Sequence, residues 1–86
     1  MASYSIRFAR SVRKDFKKIP AKDAKRILAR MAKLAEDPRP ADAKKLTNDG
    51  ALRIRIGTYR VIYDVIDNQL LILVLKVGHR KDIYKK

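Results

Sequence analysis

The chain has 86 residues, with 22 lysines and arginines against nine aspartates and glutamates, and its formal net charge is +13. The length predicts a single domain over residues 1–86, and a hydrophobic fraction of 47% argues against disorder. With no cysteine and one histidine, His79, the sequence excludes disulfides and thiolate or multi-histidine metal sites, so we expect neither metal nor cofactor. No apolar run approaches the roughly 18 residues of a membrane span, which predicts a cytoplasmic protein with anionic partners.

The first part of the chain carries one strand pattern and two helix patterns. Apolar and polar residues alternate from Tyr4 to Phe8, which predicts a half-buried strand. Two stretches with helical spacing follow on either side of Pro20, which predicts a helical hairpin. The apolar face of the first predicted helix comprises Val12, Phe16 and Ile19. That of the second comprises Ala24, Ile27, Leu28, Met31 and Leu34. Residues 37–50 are predicted to form a loop.

From Ala51 the hydrophobic period changes to two, which predicts three antiparallel strands. Gly57-Thr58 suits a two-residue hairpin loop, and Asn68-Gln69 suits a second tight turn. The stretch from Leu70 to Val77 is apolar on both faces apart from Lys76, as expected for a strand covered on both sides. The predicted fold is therefore α+β: an N-terminal strand, a two-helix hairpin and a three-stranded antiparallel meander forming one sheet (β-α-α-β-β-β).

The first hairpin carries the most informative charge pattern. A two-residue loop at Gly57-Thr58 places Arg55 directly opposite Arg60, with Arg53 on the same face. Like charges directly opposite one another are normally avoided. Arginine's fork of donors suits phosphate oxygens, so the three side chains predict a pre-arranged anion site. The alternative is that they extend into solvent without a function.

The second predicted turn extends this site toward the C-terminus. It places Arg60 beside Val77 and puts the odd-numbered side of the last strand on the arginine-bearing face. A glycine is then expected to release His79, Arg80 and Tyr84 from the sheet in a short tail close to Arg60. His79 suits proton transfer or is an ordinary polar side chain. Tyr84 suits stacking on a base, donating its hydroxyl or covering the sheet edge.

These residues carry a resemblance to a known family. Arg53–Tyr63 (RIRIGTYRVIY), followed by Leu71–Tyr84 (LILVLKVGHRKDIY), resembles the RelE branch of the RelE/ParE toxin superfamily. Tyr4–Phe8, Lys14–Phe16 and Ile19-Pro20 fit the same pattern, so the resemblance spans nearly the whole chain. It implies a RelE-like toxin of a type II toxin–antitoxin system. Such toxins cleave mRNA in the ribosomal A site, which stops translation, and an acidic, RelB-like antitoxin neutralises them.

The resemblance also assigns roles to single residues. The family's two basic positions on its second strand fall on Arg53 and Arg55, its strand-three arginine on Arg60, its tail arginine on Arg80 and its C-terminal tyrosine on Tyr84. The implied activity is that of a metal-independent endoribonuclease. A ribose 2′-OH attacks the adjacent phosphate, displaces the 5′-oxygen and leaves a 2′,3′-cyclic phosphate.

In this scheme Arg60 and Arg80 are expected to grip the scissile phosphate, with Arg53 and Arg55 as electrostatic support. His79 or Tyr84 is expected to assist proton transfer. Arg60→Ala or Arg80→Ala is expected to abolish growth arrest while leaving folding intact.

One departure and two alternatives remain open. Some members of the family carry lysine where this chain has Arg53 and Arg55, and arginine does not suit a general base because it is effectively always protonated. The first alternative is a ParE-like toxin that inhibits DNA gyrase without catalysis. The second is a noncatalytic nucleic-acid-binding module. The basic sheet positions and the GHRKDIY tail favour the hypothesis of a RelE-like toxin.

Overall fold

The computed structural model describes residues 3–46 and 50–79. The elements are β1 (Ser5–Phe8), α1 (Arg10–Lys17), α2 (Ala21–Glu36), β2 (Lys44–Lys45), β3 (Leu52–Ile56), β4 (Tyr59–Ile66), a short 3-10 turn (Asp67–Gln69) and β5 (Leu71–His79). The predicted α+β class, the helical hairpin and the order of the main strands are confirmed.

The five strands form one sheet in the order β1-β5-β4-β3-β2. β1 lies parallel to β5, and all other neighbours in the sheet are antiparallel. The strand β2 lies inside the predicted loop 37–50 and pairs Lys44 with Arg53. Because β2 has only two residues, it shows no hydrophobic period, and the sequence analysis missed it.

The helices pack on one face of the sheet, and the core lies between the two layers. Its buried apolar residues are Val12, Ile19, Ile27, Met31, Leu34, Ile54, Val61, Tyr63, Ile72, Val74 and Val77. The predicted inner faces of both helices are largely confirmed. Leu28 is the exception, since its exposed fraction is 47%. An α-helix turns by about 100° per residue, so Leu28 lies well to one side of the buried Ile27.

Leu28 contributes to an apolar groove formed by β1, α1 and α2. The groove has a volume of about 360 Å³ and is lined by Phe8, Val12, Arg13, Phe16 and Leu28. Phe8 is 41% exposed, and its ring meets that of Phe16 edge to face with 6.1 Å between the centroids. The apolar groove therefore exposes three large apolar side chains from β1, α1 and α2.

The turn between β4 and β5 differs from the predicted two-residue turn. The chain passes through the 3-10 turn, and Leu70 adopts a left-handed conformation with a φ of 49°. A β-bulge then shifts the register between Ile62 and Tyr63, so that Arg60 lies opposite Gly78. Val77 lies opposite Val61 and is buried in the core. The prediction that Val77 shares the arginine-bearing face was therefore wrong.

The physical reason for this shift lies in the apolar pattern of β5. Ile72, Val74 and Val77 are all completely buried, although an unbroken strand would place the third on the opposite face from the other two. The extra residue of the bulge restores all three to the core. The alternation of apolar and polar residues across 70–77 does not show where the extra residue of the bulge lies.

Tyr63 ties the sheet to the loop that follows α2. Its ring is completely buried, and its hydroxyl donates a hydrogen bond of 2.7 Å to the carbonyl oxygen of Pro38. Burial raises the pKa of Tyr63 to about 12 because the phenolate would lose its hydration. Tyr63 is therefore protonated and a hydrogen-bond donor in the folded protein at neutral pH.

Tyr63→Phe is expected to lower the free energy of unfolding by about 1–2 kcal/mol, because the carbonyl of Pro38 loses its partner. The raised pKa stabilises the folded state below pH 10, and this contribution is lost as the pH rises toward 12. Urea denaturation of the wild-type protein and of Tyr63→Phe at pH 7 and at higher pH tests both statements. The difference between their free energies of unfolding should become smaller above pH 10. Equal stability of the two proteins at pH 7 would contradict the assignment. Tyr59→Phe is the control, because its hydroxyl makes a longer bond of 3.3 Å to Asp23.

Candidate nucleic-acid interface

The hairpin of β3 and β4 has the register that the sequence predicts. Gly57 and Thr58 form its turn, and Gly57 has a φ of 62°, which glycine adopts without strain. Arg55 lies directly opposite Arg60. Arg53 lies two residues from Arg55 along β3 and therefore faces the same side of the sheet. The predicted cluster of three arginines on the face away from the helices is present.

Lys44 extends this cluster. It lies opposite Arg53 in the register of β2 and β3, and cross-strand partners point to the same face. We call Lys44, Arg53, Arg55 and Arg60 the arginine face. A cleft of about 260 Å³ is lined by Lys44, Arg53, Arg55 and Asp42. The only sequence signal for Lys44 was its charge in a predicted loop.

Asp42 is the one carboxylate of the described part of the chain that lines this cleft, and it is already paired. Asp42 accepts two hydrogen bonds from the same guanidinium nitrogen of Arg30, at 2.5 and 2.7 Å. This guanidinium holds the pKa of Asp42 below its usual value. The negative charge of Asp42 is thus offset by Arg30, and the arginine face keeps its positive potential.

Arg60 differs from the other members of the arginine face because it is buried. Its exposed fraction is 1%, and it is the only charged residue that is buried within the described residues 3–46 and 50–79. Arg55 is exposed, and the two side chains line a small cleft of about 90 Å³ beside the turn at Gly57. Buried arginines are rare and costly, and costly burial of charge is typical of functional sites.

The burial of Arg60 changes one expectation. We expected Arg60→Ala to leave folding intact, but removal of a side chain that is 1% exposed opens a cavity. A loss of about 1–3 kcal/mol of stability is typical of such changes. A conservative substitution is therefore the better test of this residue's role in catalysis.

His79 does not lie with the arginines. It is the last residue of β5 rather than part of a tail released by Gly78, so this expectation was wrong. Its cross-strand partner is Tyr59. Tyr59 is on the same face of β4 as Val61 and Tyr63, which are buried in the core. The two rings meet edge to face with 5.8 Å between their centroids. Arg80 and Tyr84 lie outside the described residues.

His79 instead lines a second cleft, which we call the strand-end cleft. It has a volume of about 380 Å³ and lies between the end of α1 and the ends of β4 and β5. Its lining residues are Asp15, Lys18, Ile19, Tyr59, Lys76, Val77, Gly78 and His79. Tyr59 also lines the small cleft that contains Arg55 and Arg60, so this residue borders both clefts.

Asp15 anchors the part of β5 that borders the strand-end cleft. β1 pairs with β5 only as far as Val74, so within residues 3–46 and 50–79 no strand lies beside the later residues of β5 on that side. Asp15 of α1 fills this place, since it accepts hydrogen bonds from the backbone N–H of Val77 at 3.2 Å and from Lys76 Nζ at 3.1 Å. These bonds fix the edge of β5 next to the cleft.

Within residues 3–46 and 50–79, no group of three or more His, Asp or Glu side chains is arranged to hold a metal ion. None of the described helices has the length and apolar character to span a membrane.

Comparison with known proteins identifies the family. The model of the family described as the ParE toxin of type II toxin–antitoxin systems, parDE, matches residues 6–84. The chain belongs to the RelE/ParE toxin family. Toxin RelG of Mycobacterium tuberculosis is 33% identical over 89 aligned residues, which cover 96% of this chain and 98% of RelG. The protein is thus similar over its whole length to a toxin of the RelE type.

Solved structures of family members share the fold. One chain in the crystal structure of the toxin–antitoxin complex RelBE2 from Mycobacterium tuberculosis has a TM-score of 0.77 and 29% identity, covering 92% of this chain and 100% of that one. A chain in the RelB–RelE antitoxin–toxin complex from Methanococcus jannaschii has a TM-score of 0.73 and 31% identity, covering 90% and 93%. The predicted resemblance to RelE-like toxins is confirmed, and this chain is a toxin of the type II toxin–antitoxin class.

Proposed function

We propose that this RelE-family toxin is a ribosome-dependent endoribonuclease that cleaves mRNA in the A site and stops translation. The observation that carries the proposal is the placement of Arg55 directly opposite the buried Arg60 on a rigid hairpin. Like charges on directly opposite residues are normally avoided, and a bound phosphodiester would supply an anion that both arginines can contact. The similarity to RelG adds support for a toxin of the RelE type.

The reaction is a transesterification within the RNA. The ribose 2′-oxygen loses its proton to a base and bonds to phosphorus, while the bond from phosphorus to the 5′-oxygen breaks. The leaving 5′-oxygen takes up a proton, and the products are a 2′,3′-cyclic phosphate and a 5′-hydroxyl. The transition state carries additional negative charge on the phosphate oxygens, which fixed guanidinium groups stabilise.

The arginine face supplies this stabilisation. Arg60 is held by burial and by its place in β4 between β3 and β5, so its donors need little reorganisation when charge develops. Arg55 adds a second fork beside it, while Arg53 and Lys44 attract the flanking backbone. The family resemblance assigns Arg80 to the same phosphate.

The proton transfers need a different residue type, because arginine holds its proton. His79 and Tyr84 were the two expected candidates. His79 shares a cleft with Tyr59 and Lys18 on the side of the sheet edge nearest α1, whereas Arg60 belongs to the opposite face. We therefore assign the proton transfer to Tyr84, in line with the family's C-terminal tyrosine, and give His79 a role in binding.

A RelB-like, acidic antitoxin is the proposed protein partner, as in the RelB–RelE complexes of the related toxins. We place an apolar segment of this antitoxin in the apolar groove formed by Phe8, Phe16 and Leu28. Arg13 lies at the groove, and residues 1–36 contain 11 basic side chains against three acidic ones. A second copy of the toxin would bring the same positive charge, so an acidic partner fits this surface better.

A gyrase inhibitor is the second candidate, because the matching family description names the ParE toxin. Such an inhibitor has no need of guanidinium groups arranged around a phosphate. Replication arrest with intact mRNA would select this candidate, whereas A-site cleavage would select the endoribonuclease.

The test in cells is to map mRNA 5′ ends after brief induction of the toxin. The proposal predicts new ends inside codons that occupied the A site, together with a rapid stop in protein synthesis. Unchanged mRNA ends in arrested cells would overturn it. Induction of the Arg60→Lys variant provides the matched control.

A further inference from the structure

We propose that the strand-end cleft binds the nucleotide next to the scissile phosphate, with Lys18 facing its phosphate and the ring pair of Tyr59 and His79 facing its base. This inference rests on the proposed endoribonuclease function and gives it a second subsite. The ligand is thus a single nucleotide of an RNA strand that continues from the arginine face.

Continuity between the two sites is the first argument. The small cleft of Arg55 and Arg60 and the strand-end cleft share Tyr59 as a common wall. The two sites lie on opposite faces of the sheet, and an RNA strand that passes around the end of the hairpin at Tyr59 would reach both. A strand whose phosphate is held by Arg60 enters the strand-end cleft with the neighbouring nucleotide. The volume of about 380 Å³ leaves room for a base and its sugar.

Charge is the second argument. Among residues 3–46 and 50–79, two lysines and one aspartate line the cleft, and the aspartate is engaged by Lys76 and by the backbone of Val77. The carboxylates of residues 3–46 and 50–79 form four ion pairs with basic side chains, and Lys18 takes part in none of them. Its ammonium group is therefore available to a phosphate. The backbone N–H of Lys18 donates to the carbonyl of Asp15 at 3.1 Å, and that of Ile19 donates to the carbonyl of Phe16 at 3.1 Å, which fixes where the Lys18 side chain begins.

Aromatic geometry is the third argument. The hydroxyl of Tyr59 donates to Asp23 at 3.3 Å, and its ring meets His79 at an angle of 81°. Burial and Asp23 raise the pKa of Tyr59, so the ring stays neutral and adds no negative charge to the cleft. Two perpendicular rings form a corner against which a planar base packs, and contacts of bases with aromatic side chains are insensitive to sequence.

The test compares Lys18→Glu with Lys17→Glu. Both lysines are exposed neighbours at the end of α1 and undergo the same charge change, but only Lys18 lines the cleft. Fluorescence anisotropy at low salt measures the binding of labelled 2′-O-methyl RNA, which lacks the attacking hydroxyl, as oligonucleotides of increasing length. Binding to this probe does not depend on cleavage, so it is separate from the test of the proposed reaction.

The wild-type protein and Lys17→Glu are expected to gain affinity when the RNA is long enough to fill both sites. Lys18→Glu is expected to lose that gain, by about tenfold, with the shortest RNA bound nearly as well as before. In cleavage assays Lys18→Glu should raise KM while kcat stays close to the wild-type value. Equal binding by both variants at every length, or a fall in kcat alone, would overturn the proposal.

Discussion

Changing Arg60 to lysine is expected to lower the rate of mRNA cleavage by roughly 10²-fold, the loss typical of one transition-state donor. Lysine keeps the positive charge and most of the volume, but it lacks the planar fork that binds two phosphate oxygens at once. Arg60 is 1% exposed and lies directly opposite Arg55, so its own guanidinium is held in place before substrate arrives. The readout is single-turnover cleavage of ribosome-bound mRNA by the purified variant.

The matched control for this prediction is Arg7→Lys. Arg7 lies in β1 of the same sheet, opposite Leu73, and is exposed. The same chemical change there should leave cleavage within about twofold of wild type and stability within about 0.5 kcal/mol. Wild-type cleavage by a folded Arg60→Lys protein would remove Arg60 from the proposed mechanism.

Leu28→Asp is expected to produce a toxin that cleaves mRNA normally but escapes its antitoxin. Leu28 is 47% exposed at the rim of the apolar groove, so the substitution should not unfold the chain. A carboxylate in the groove would lose its hydration on binding and would repel an acidic partner. The affinity for the proposed acidic antitoxin should fall by about 100-fold, which corresponds to about 2.8 kcal/mol.

Leu70→Asp is the control for this change. Leu70 is 42% exposed in the turn before β5, and its left-handed conformation with a φ of 49° is one that aspartate tolerates. Co-expression rescue and calorimetric titration should show normal neutralisation of Leu70→Asp and loss of neutralisation of Leu28→Asp. Normal neutralisation of Leu28→Asp would mean that the antitoxin docks elsewhere.

The local sequence was sufficient to predict the register of the hairpin that carries the candidate site. A glycine at the first position of a two-residue loop determines which residues face each other, and the opposition of Arg55 and Arg60 follows from this alone. The amphipathic spacing of residues 10–36 likewise predicts both helices. These features depend on neighbours within a few positions along the chain.

The features that the sequence analysis missed depend on contacts between distant segments. The bulge near Ile62 exists because three buried residues of β5 must reach one core, and the side on which His79 lies follows from that shift. The pairing of Lys44 with Arg53 needs only two residues of β2. The strand-end cleft combines α1 with the ends of β4 and β5, which are more than 40 positions away from α1 in the chain. The spacing of apolar residues within one segment does not predict contacts between segments so far apart in the chain.

The most direct test of the account is cleavage by the purified toxin of an mRNA whose codon is set in the A site of a purified ribosome. Sequencing of the fragments and analysis of their ends would identify both the position and the chemistry of the cut. The account predicts a cut within the A-site codon, a 2′,3′-cyclic phosphate on the upstream fragment, and no cut in the same mRNA without ribosomes. Intact mRNA on ribosomes, with a toxin preparation that still blocks DNA gyrase, would contradict it.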